Sequence, residues 1–111
     1  MNIFDSCVRS LGDLAGVFEY DGETAYFYFY DQRRSKEKMV LGAIHITSKP
    51  LDFGKDDIRV EWDTSETRVG VFIKNELWAA FDAQGTKYGG DYSQGAQSNI
   101  PEAIERSFRT D

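Results

Sequence analysis

Over the middle of the chain apolar and polar side chains alternate at period two, the signature of strands with one buried and one wet face. Ile58, Val60 and Trp62 alternate with Arg59, Glu61 and Asp63, and Val69, Val71 and Ile73 alternate with Arg68, Gly70 and Lys74. Asp63 to Glu66 supply the turn between these strands, and a tight connection at Asn75-Glu76 leads into a further strand over residues 77–82. Upstream, residues 16–20 and 24–31 are β-branched and aromatic runs separated by Asp21-Gly22, a dipeptide that accepts the positive φ of a hairpin turn. In the second run Phe27 and Phe29 fall on one face and Tyr26, Tyr28 and Tyr30 on the other. The phenylalanine face is expected in the core, while the amphipathic tyrosine face meets solvent, the C-terminal helix or a partner. Residues 39–47 return to strand character, with Val40, Ile44 and Ile46 on one side.

The remaining segments read differently. In residues 2–14, Ile3, Phe4, Cys7, Val8, Leu11 and Leu14 recur at helical spacing although Gly12 weakens the last turn, so this stretch is read as a short helix, with an irregular or extended arm beside the sheet as the competing reading. Residues 32–38 form a polar, mostly basic connector, and residues 48–57, with Pro50 and Gly54, form a loop. From residue 83 to 98 the composition shifts to Gly, Gln, Ser, Tyr and Asp, the longest expected loop. Asn99 is placed to cap a last helix, with Pro101 in its first turn, Glu102 at the capping-box position and Ile100, Ala103, Ile104 and Phe108 as its apolar stripe. The expected fold is α+β but mainly β: a twisted antiparallel meander sheet of about six strands with the C-terminal helix packed on it, as one domain over residues 1–111.

Composition narrows the possible roles. A net charge of −6 opposes general binding to nucleic acid or to anionic membranes. Cys7, the one cysteine, allows no internal disulfide, and no secretion signal opens the chain, so a reducing cytoplasm is the expected location. No apolar run reaches the ~18 residues of a membrane span.

The run Val17-Phe18-Glu19-Tyr20-Asp21-Gly22-Glu23-Thr24-Ala25-Tyr26-Phe27-Tyr28 resembles the opening motif of a small bacterial family of uncharacterised proteins, in which F-E-x-D-G-E-T-G-Y-F-Y precedes a meander. Ile58-x-x-x-Trp62 and Ala80-Phe81-Asp82 extend the resemblance over residues 14–83. Tyr20 stands where that motif usually has an acidic residue, and Ala25 where it has glycine. The resemblance implies a bacterial, stand-alone β domain and brings no catalytic residue with it.

Candidate chemistry is sparse. Asp21, Glu23 and Asp31 are carboxylates suited to a hard cation or acid-base work, yet turn composition alone accounts for them, and no EF-hand loop is matched. His45 is the one histidine, which leaves no multi-histidine metal site, makes Cys7-His45 the sole thiol pair, and otherwise reads as a hydrogen-bonded strand residue. Gly90-Asp91-Tyr92-Ser93-Gln94-Gly95 begins like a phosphate-binding loop but continues with Ala96-Gln97 where Lys-Ser/Thr is needed, and Ser93 lacks the nucleophile-elbow pattern. Arg33, Arg34, Lys36 and Lys38 form a basic knob that reads as a solvated hairpin tip more than as an RNA site.

The leading expectation is a non-enzymatic protein-interaction module, of inhibitor or immunity type, that uses no cofactor and meets a basic partner. Its expected surface comprises Asp21, Glu23, Tyr26, Tyr28, Tyr30, Asp31, Glu61, Asp63, Asp82 and Asp91. The alternative is a small-ligand binder or enzyme with a cleft between the glycine-rich loop, residues 85–98, and the sheet, using Asp82, Asp91 and His45. A homodimer through a sheet edge or the tyrosine face is the third reading.

Overall fold

In the computed structural model, which describes residues 2–93 and 95–109, the chain forms eight antiparallel strands in two four-stranded sheets. The first sheet runs β1 (Ile3–Val8), β2 (Leu14–Tyr20), β3 (Ala25–Asp31) and β4 (Val40–Thr47) in chain order. The second repeats the meander with β5 (Ile58–Trp62), β6 (Arg68–Ile73), β7 (Glu76–Asp82) and β8 (Lys87–Gly89), and a short helix α1 (Glu102–Arg106) comes after it. The class is mainly β, but the expected single sheet of about six strands is corrected to two sheets of four. Alternation decides which side chains of a strand turn inward; it does not decide how many sheets share the core. The change of layer happens in the Pro50-containing loop, which ends in a 3₁₀ turn at Lys55–Asp57 and feeds β5.

For residues 2–14 the extended reading holds and the helix does not. β1 pairs with β2 in the register Asp5 opposite Phe18, so Ile3 and Cys7 turn inward while Phe4 and Val8 turn outward. A spacing of four residues belongs to both the helical and the strand repeat, which is why the segment mimics a helix. The glycine-rich segment also contains a strand, since β8 pairs with Ala79, Ala80 and Phe81. The hairpin between β6 and β7 turns at Lys74 and Asn75, both in the left-handed region (φ 53° and 69°), one residue earlier than expected. The last helix starts after Pro101, whose carbonyl accepts the Ile104 and Glu105 amides, and Asn99 does not cap it.

The core lies between the sheets. Phe18, Phe27 and Phe29 of the first sheet meet Val69, Val71 and Phe81 of the second, all fully buried. The Phe81 ring stacks on Phe29 at 5.3 Å and tilts against Phe27 at 5.5 Å. Gly16 lets the layers approach, because a Cβ there would lie 2.6 Å from Val69 Cγ2. A second cluster covers the far face of the second sheet, where Ile100, Ile104 and Phe108 pack on Phe72, Leu77 and Ala80 while Ala103 stays exposed. The C-terminal segment therefore covers the second sheet, and no element of the described residues covers the tyrosine side of the first.

The layers are also joined along their sides. Asp5, a polar residue at an inward position of β1, accepts the Val60 amide of β5 at 3.0 Å, and Trp62 donates its indole N–H to the Cys7 carbonyl at 2.9 Å. On the other side the chain leaves β8 and pairs with β4: Asp91 N–H donates to His45 O at 2.9 Å and Tyr92 N–H donates to Ile46 O.

Phe81→Ala removes the ring shared by both sheets and is expected to lower stability by about 3–5 kcal/mol in urea unfolding. Phe4→Ala, at a side chain 54% exposed, is expected to change it by no more than about 0.5 kcal/mol. Equal losses would mean that the core is not centred on Phe81.

Candidate functional site

Strand register arranges the outer face of the first sheet in three rows across β1 to β4. Phe4, Glu19, Tyr26 and His45 form the first, Ser6, Val17, Tyr28 and Ala43 the second, and Val8, Ala15, Tyr30 and Val40 the third. The tyrosines lie along β3 as a ladder, with ring centroids 5.7 Å apart for Tyr26 and Tyr28 and 6.0 Å for Tyr28 and Tyr30. Beside them Ala15 and Val17 are buried, whereas Phe4, Val8 and Val40 are exposed and no element of the described chain covers them. Burial pushes the Tyr28 and Tyr30 phenols up, and the Glu19 carboxylate adds to the rise in both. Among these twelve residues Glu19 is the one carboxylate, and it is exposed.

The acidic residues expected on the surface do not assemble into one patch. Asp21 is exposed at the β2–β3 turn, where it accepts the Thr24 and Glu23 amides, which hold its carboxyl below its ordinary value; Glu23 is exposed beside it. Asp31 is buried at the opposite end of β3 and accepts a two-pronged Arg33 guanidinium, both bonds 2.8 Å. Those bonds, with the Arg33 amide, hold its carboxyl at about 2. Asp63 is buried in the β5–β6 turn and accepts the Thr67 and Arg68 amides. Glu61 is half-buried on β5 and pairs with Arg59, whose guanidinium lies 4.4 Å from the Phe72 ring centroid. Burial works to raise the Asp82 carboxyl, but hydrogen bonds from Thr86, Gln84 and Tyr88 outweigh it and hold it low. Asp31 and Asp63 are thus corrected from surface acids to internal turn ties. Arg33 and Arg34 of the basic knob lean on Asp31 at 2.8 and 3.4 Å, so part of that positive charge is neutralised locally.

A different constellation forms around His45. Its Nδ1 lies 3.1 Å from Asp91 Oδ1 and its Nε2 lies 2.8 Å from Ser48 Oγ. A carboxylate only accepts, so the ring proton belongs on Nδ1, which leaves the Nε2 lone pair to accept the Ser48 hydroxyl. The ring is further held edge-on by Tyr26, centroids 5.4 Å apart. Asp91 is placed by its own amide bond to His45 O and takes φ 49°, next to Gly90 at φ 114°. A side chain at Gly90 would run into Ile44 Cγ2 at 2.7 Å, so glycine is required there.

This network borders a groove between the residues just past β4 and the segment carrying Tyr92 and Ser93. A pocket of about 240 Å³ is lined there by Thr47, Lys49, Pro50, Leu51, Asp52 and Tyr92, and an adjoining recess includes His45, Ser48, Lys49 and Asp91. Tyr92 donates its hydroxyl to Asp52 at 3.2 Å; burial first, and then that bond, push its phenol up to about 12. Of the cleft residues expected from sequence, His45 and Asp91 meet here, while Asp82 sits at the β7–β8 turn. Ser48 carries no signal in the sequence, since a serine three residues past a histidine means nothing until the strand end bends back. Gln94 of the glycine-rich loop lies outside the described residues. Cys7 is not brought to His45: it faces inward on β1, where burial raises its thiol above the ordinary value. Among the described residues no three His, Cys, Asp or Glu side chains converge to hold a metal ion, and no helix is long and apolar enough to cross a membrane.

A family model described as an uncharacterized protein conserved in bacteria, DUF2251, matches residues 3–89, the whole span from β1 to β8. No curated protein and no solved structure matches the chain.

Because the Asp31 carboxyl is depressed from 3.8 to about 2 in the folded chain, the stabilisation it brings is present above pH 4 and lost as the pH falls towards 2. Carboxyl NMR shifts of Asp31 are expected to titrate near 2, and Arg33→Ala is expected to return them towards the ordinary range. An Asp31 that titrates normally in the unaltered chain would contradict the two-pronged pairing.

Proposed function

We propose that this chain, which belongs to the bacterial family DUF2251, is a protein-interaction module that docks a basic partner protein on the outer face of its first sheet. The observation that carries this reading is the unequal covering of the two layers. Ile104 and Phe108 shield the far face of the second sheet, whereas the corresponding face of the first presents a tyrosine ladder flanked by exposed Phe4, Val8 and Val40. Tyrosines buried in a contact bring large area at low conformational cost and keep a polar tip for hydrogen bonding.

Charge selects the partner. Glu19 stands between Phe4 and Tyr26 in the first row, and Asp21 and Glu23 flank the turn at the end of β2. Lysine or arginine side chains on the partner would pair with these carboxylates and lie over tyrosine faces, contacts that strengthen as water is excluded from the interface. The overall charge of −6 speeds the encounter with such a protein. An inhibitor or immunity role, in which the face masks a cationic active site, fits this chemistry. The contact set differs from an all-acidic surface: Phe4, Val8, Glu19, Tyr26, Tyr28 and Tyr30 make it, and Asp31 and Asp63 do not.

In a pull-down from the native bacterium the tagged chain is expected to retain a basic protein at low salt and to lose it progressively at high salt. Glu19→Lys, at an exposed position, is expected to leave the fold unchanged by circular dichroism and to weaken the complex by about tenfold or more. Retention that is independent of salt and of Glu19→Lys would sink the reading. So would a concentration-dependent homodimer in sedimentation that dissociates on Glu19→Lys, because the face would then be occupied by a second copy.

A further inference from the structure

We infer that Ser48 is an acyl-accepting nucleophile, with His45 as its base and Asp91 as the residue that orients the base, in a groove that takes small activated acyl esters. The inference is independent of the docking reading, because it rests on the other side of His45. Three observations carry it. Ser48 Oγ lies at 2.8 Å from His45 Nε2, within the range for direct proton transfer. The opposite ring nitrogen is engaged by a carboxylate at 3.1 Å, which fixes the tautomer that can accept the serine proton. The serine and histidine border a recess continuous with the pocket beside Pro50, Leu51 and Tyr92, so an ester has space to lie against the hydroxyl.

The three side chains come from two parts of the backbone, the end of β4 and the segment after β8, and each has its own anchor. His45 is on β4 and is braced by Tyr26; Ser48 lies just past the strand end; Asp91 is pinned to β4 by its amide bond to His45 O. In the first step the Ser48 oxygen bonds to the carbonyl carbon as its proton passes to Nε2, and collapse of the tetrahedral adduct breaks the bond to the leaving oxygen, which takes that proton. Water, deprotonated by Nε2, then attacks the Ser48 acyl ester and releases the carboxylic acid, with the proton returned to Ser48. The sum is ester plus water giving acid plus alcohol, with no change of oxidation state.

The surroundings limit the substrate. The Lys49 amide already donates to Thr47 Oγ1 at 3.1 Å, so this backbone N–H is not free to stabilise an oxyanion, and the positive charge in the recess is the Lys49 side chain. With the Lys49 amide engaged in this way, the site is suited to esters with good leaving groups and not to amides.

The test uses the full chain with 4-nitrophenyl acetate. Release of nitrophenolate faster than with the same concentration of free imidazole, together with an acetyl group mapped to Ser48 by peptide mass spectrometry, is expected. Ser48→Ala and His45→Gln are each expected to reduce the rate at least about a hundredfold, and Asp91→Asn by about tenfold. Ser48→Cys is expected to keep the adduct at the same position, and Ser35→Ala, on the exposed basic connector, to change nothing. A rate no greater than that of imidazole, hydrolysis that survives Ser48→Ala, or acetylation at lysine or tyrosine without Ser48 would each overturn the assignment. None of these outcomes bears on Glu19→Lys and partner retention, so the two readings fail separately.

Discussion

Two four-stranded meanders leave open strand edges, and the chain closes one of the gaps between them by sending Gly90, Asp91 and Tyr92 from β8 across to β4. Open edges carry unpaired amides and carbonyls that invite pairing with other chains, so this crossing has a stabilising role of its own. It depends on glycine twice: Gly89 and Gly90 take φ 80° and 114°, and a side chain at Gly89 would collide with the Trp78 carbonyl. The crossing segment is anchored from several directions. Trp78 donates its indole N–H to Gly90 O at 3.1 Å, and Tyr92 packs edge-on against both Trp78 and Phe53, centroids 4.7 and 5.2 Å apart. Asp91 reaches His45, and the wall of the groove exists, because of this crossing.

The two candidate surfaces share one residue. His45 ends the first row of the outer face and also stands between Asp91 and Ser48, with Tyr26 against the edge of its ring. A protein seated on the tyrosine ladder would therefore lie beside the groove. The asymmetry that exposes the ladder comes from the C-terminal segment, whose apolar residues are committed to Phe72, Leu77 and Ala80 on the second sheet. Gly70 makes that commitment possible, since a Cβ there would meet Leu77 and also approach Phe108 Cζ to 3.1 Å.

Much of the fold was legible because period two is a local property. Phe27 and Phe29 against the three tyrosines and the Ile58-to-Trp62 and Val69-to-Ile73 alternations all appear in the strands where the pattern put them, while the hairpin expected to turn at Asp21-Gly22 turns one residue later, at Gly22-Glu23, with φ 99° at Gly22. Three features escaped for physical reasons. The layer change after β4 is a tertiary event that alternation does not encode. β1 carries a spacing of four that both repeats share, and its inward Asp5 is explained only by the Val60 amide it meets from the other sheet. β8 lies among glycines that argue against a strand, yet it borrows stability from pairing with β7. The tyrosine face was visible as a face, but whether the helix covers it was not. The acids misled because Asp31 and Asp63 look solvated in sequence and are satisfied internally by nearby amides and an arginine. Ser48 and Asp91 are separated by 42 intervening residues in the sequence, and no spacing rule joins them.

Amide hydrogen exchange at Asp91 and Tyr92 tests the crossing most directly. If both N–H groups are held by β4 as their bonds to His45 O and Ile46 O indicate, they exchange as slowly as the central amides of β3 and β6. Exchange as fast as that of the exposed connector between β3 and β4 would mean that the segment is not paired, and both the closed edge and the Asp91–His45 contact would go with it.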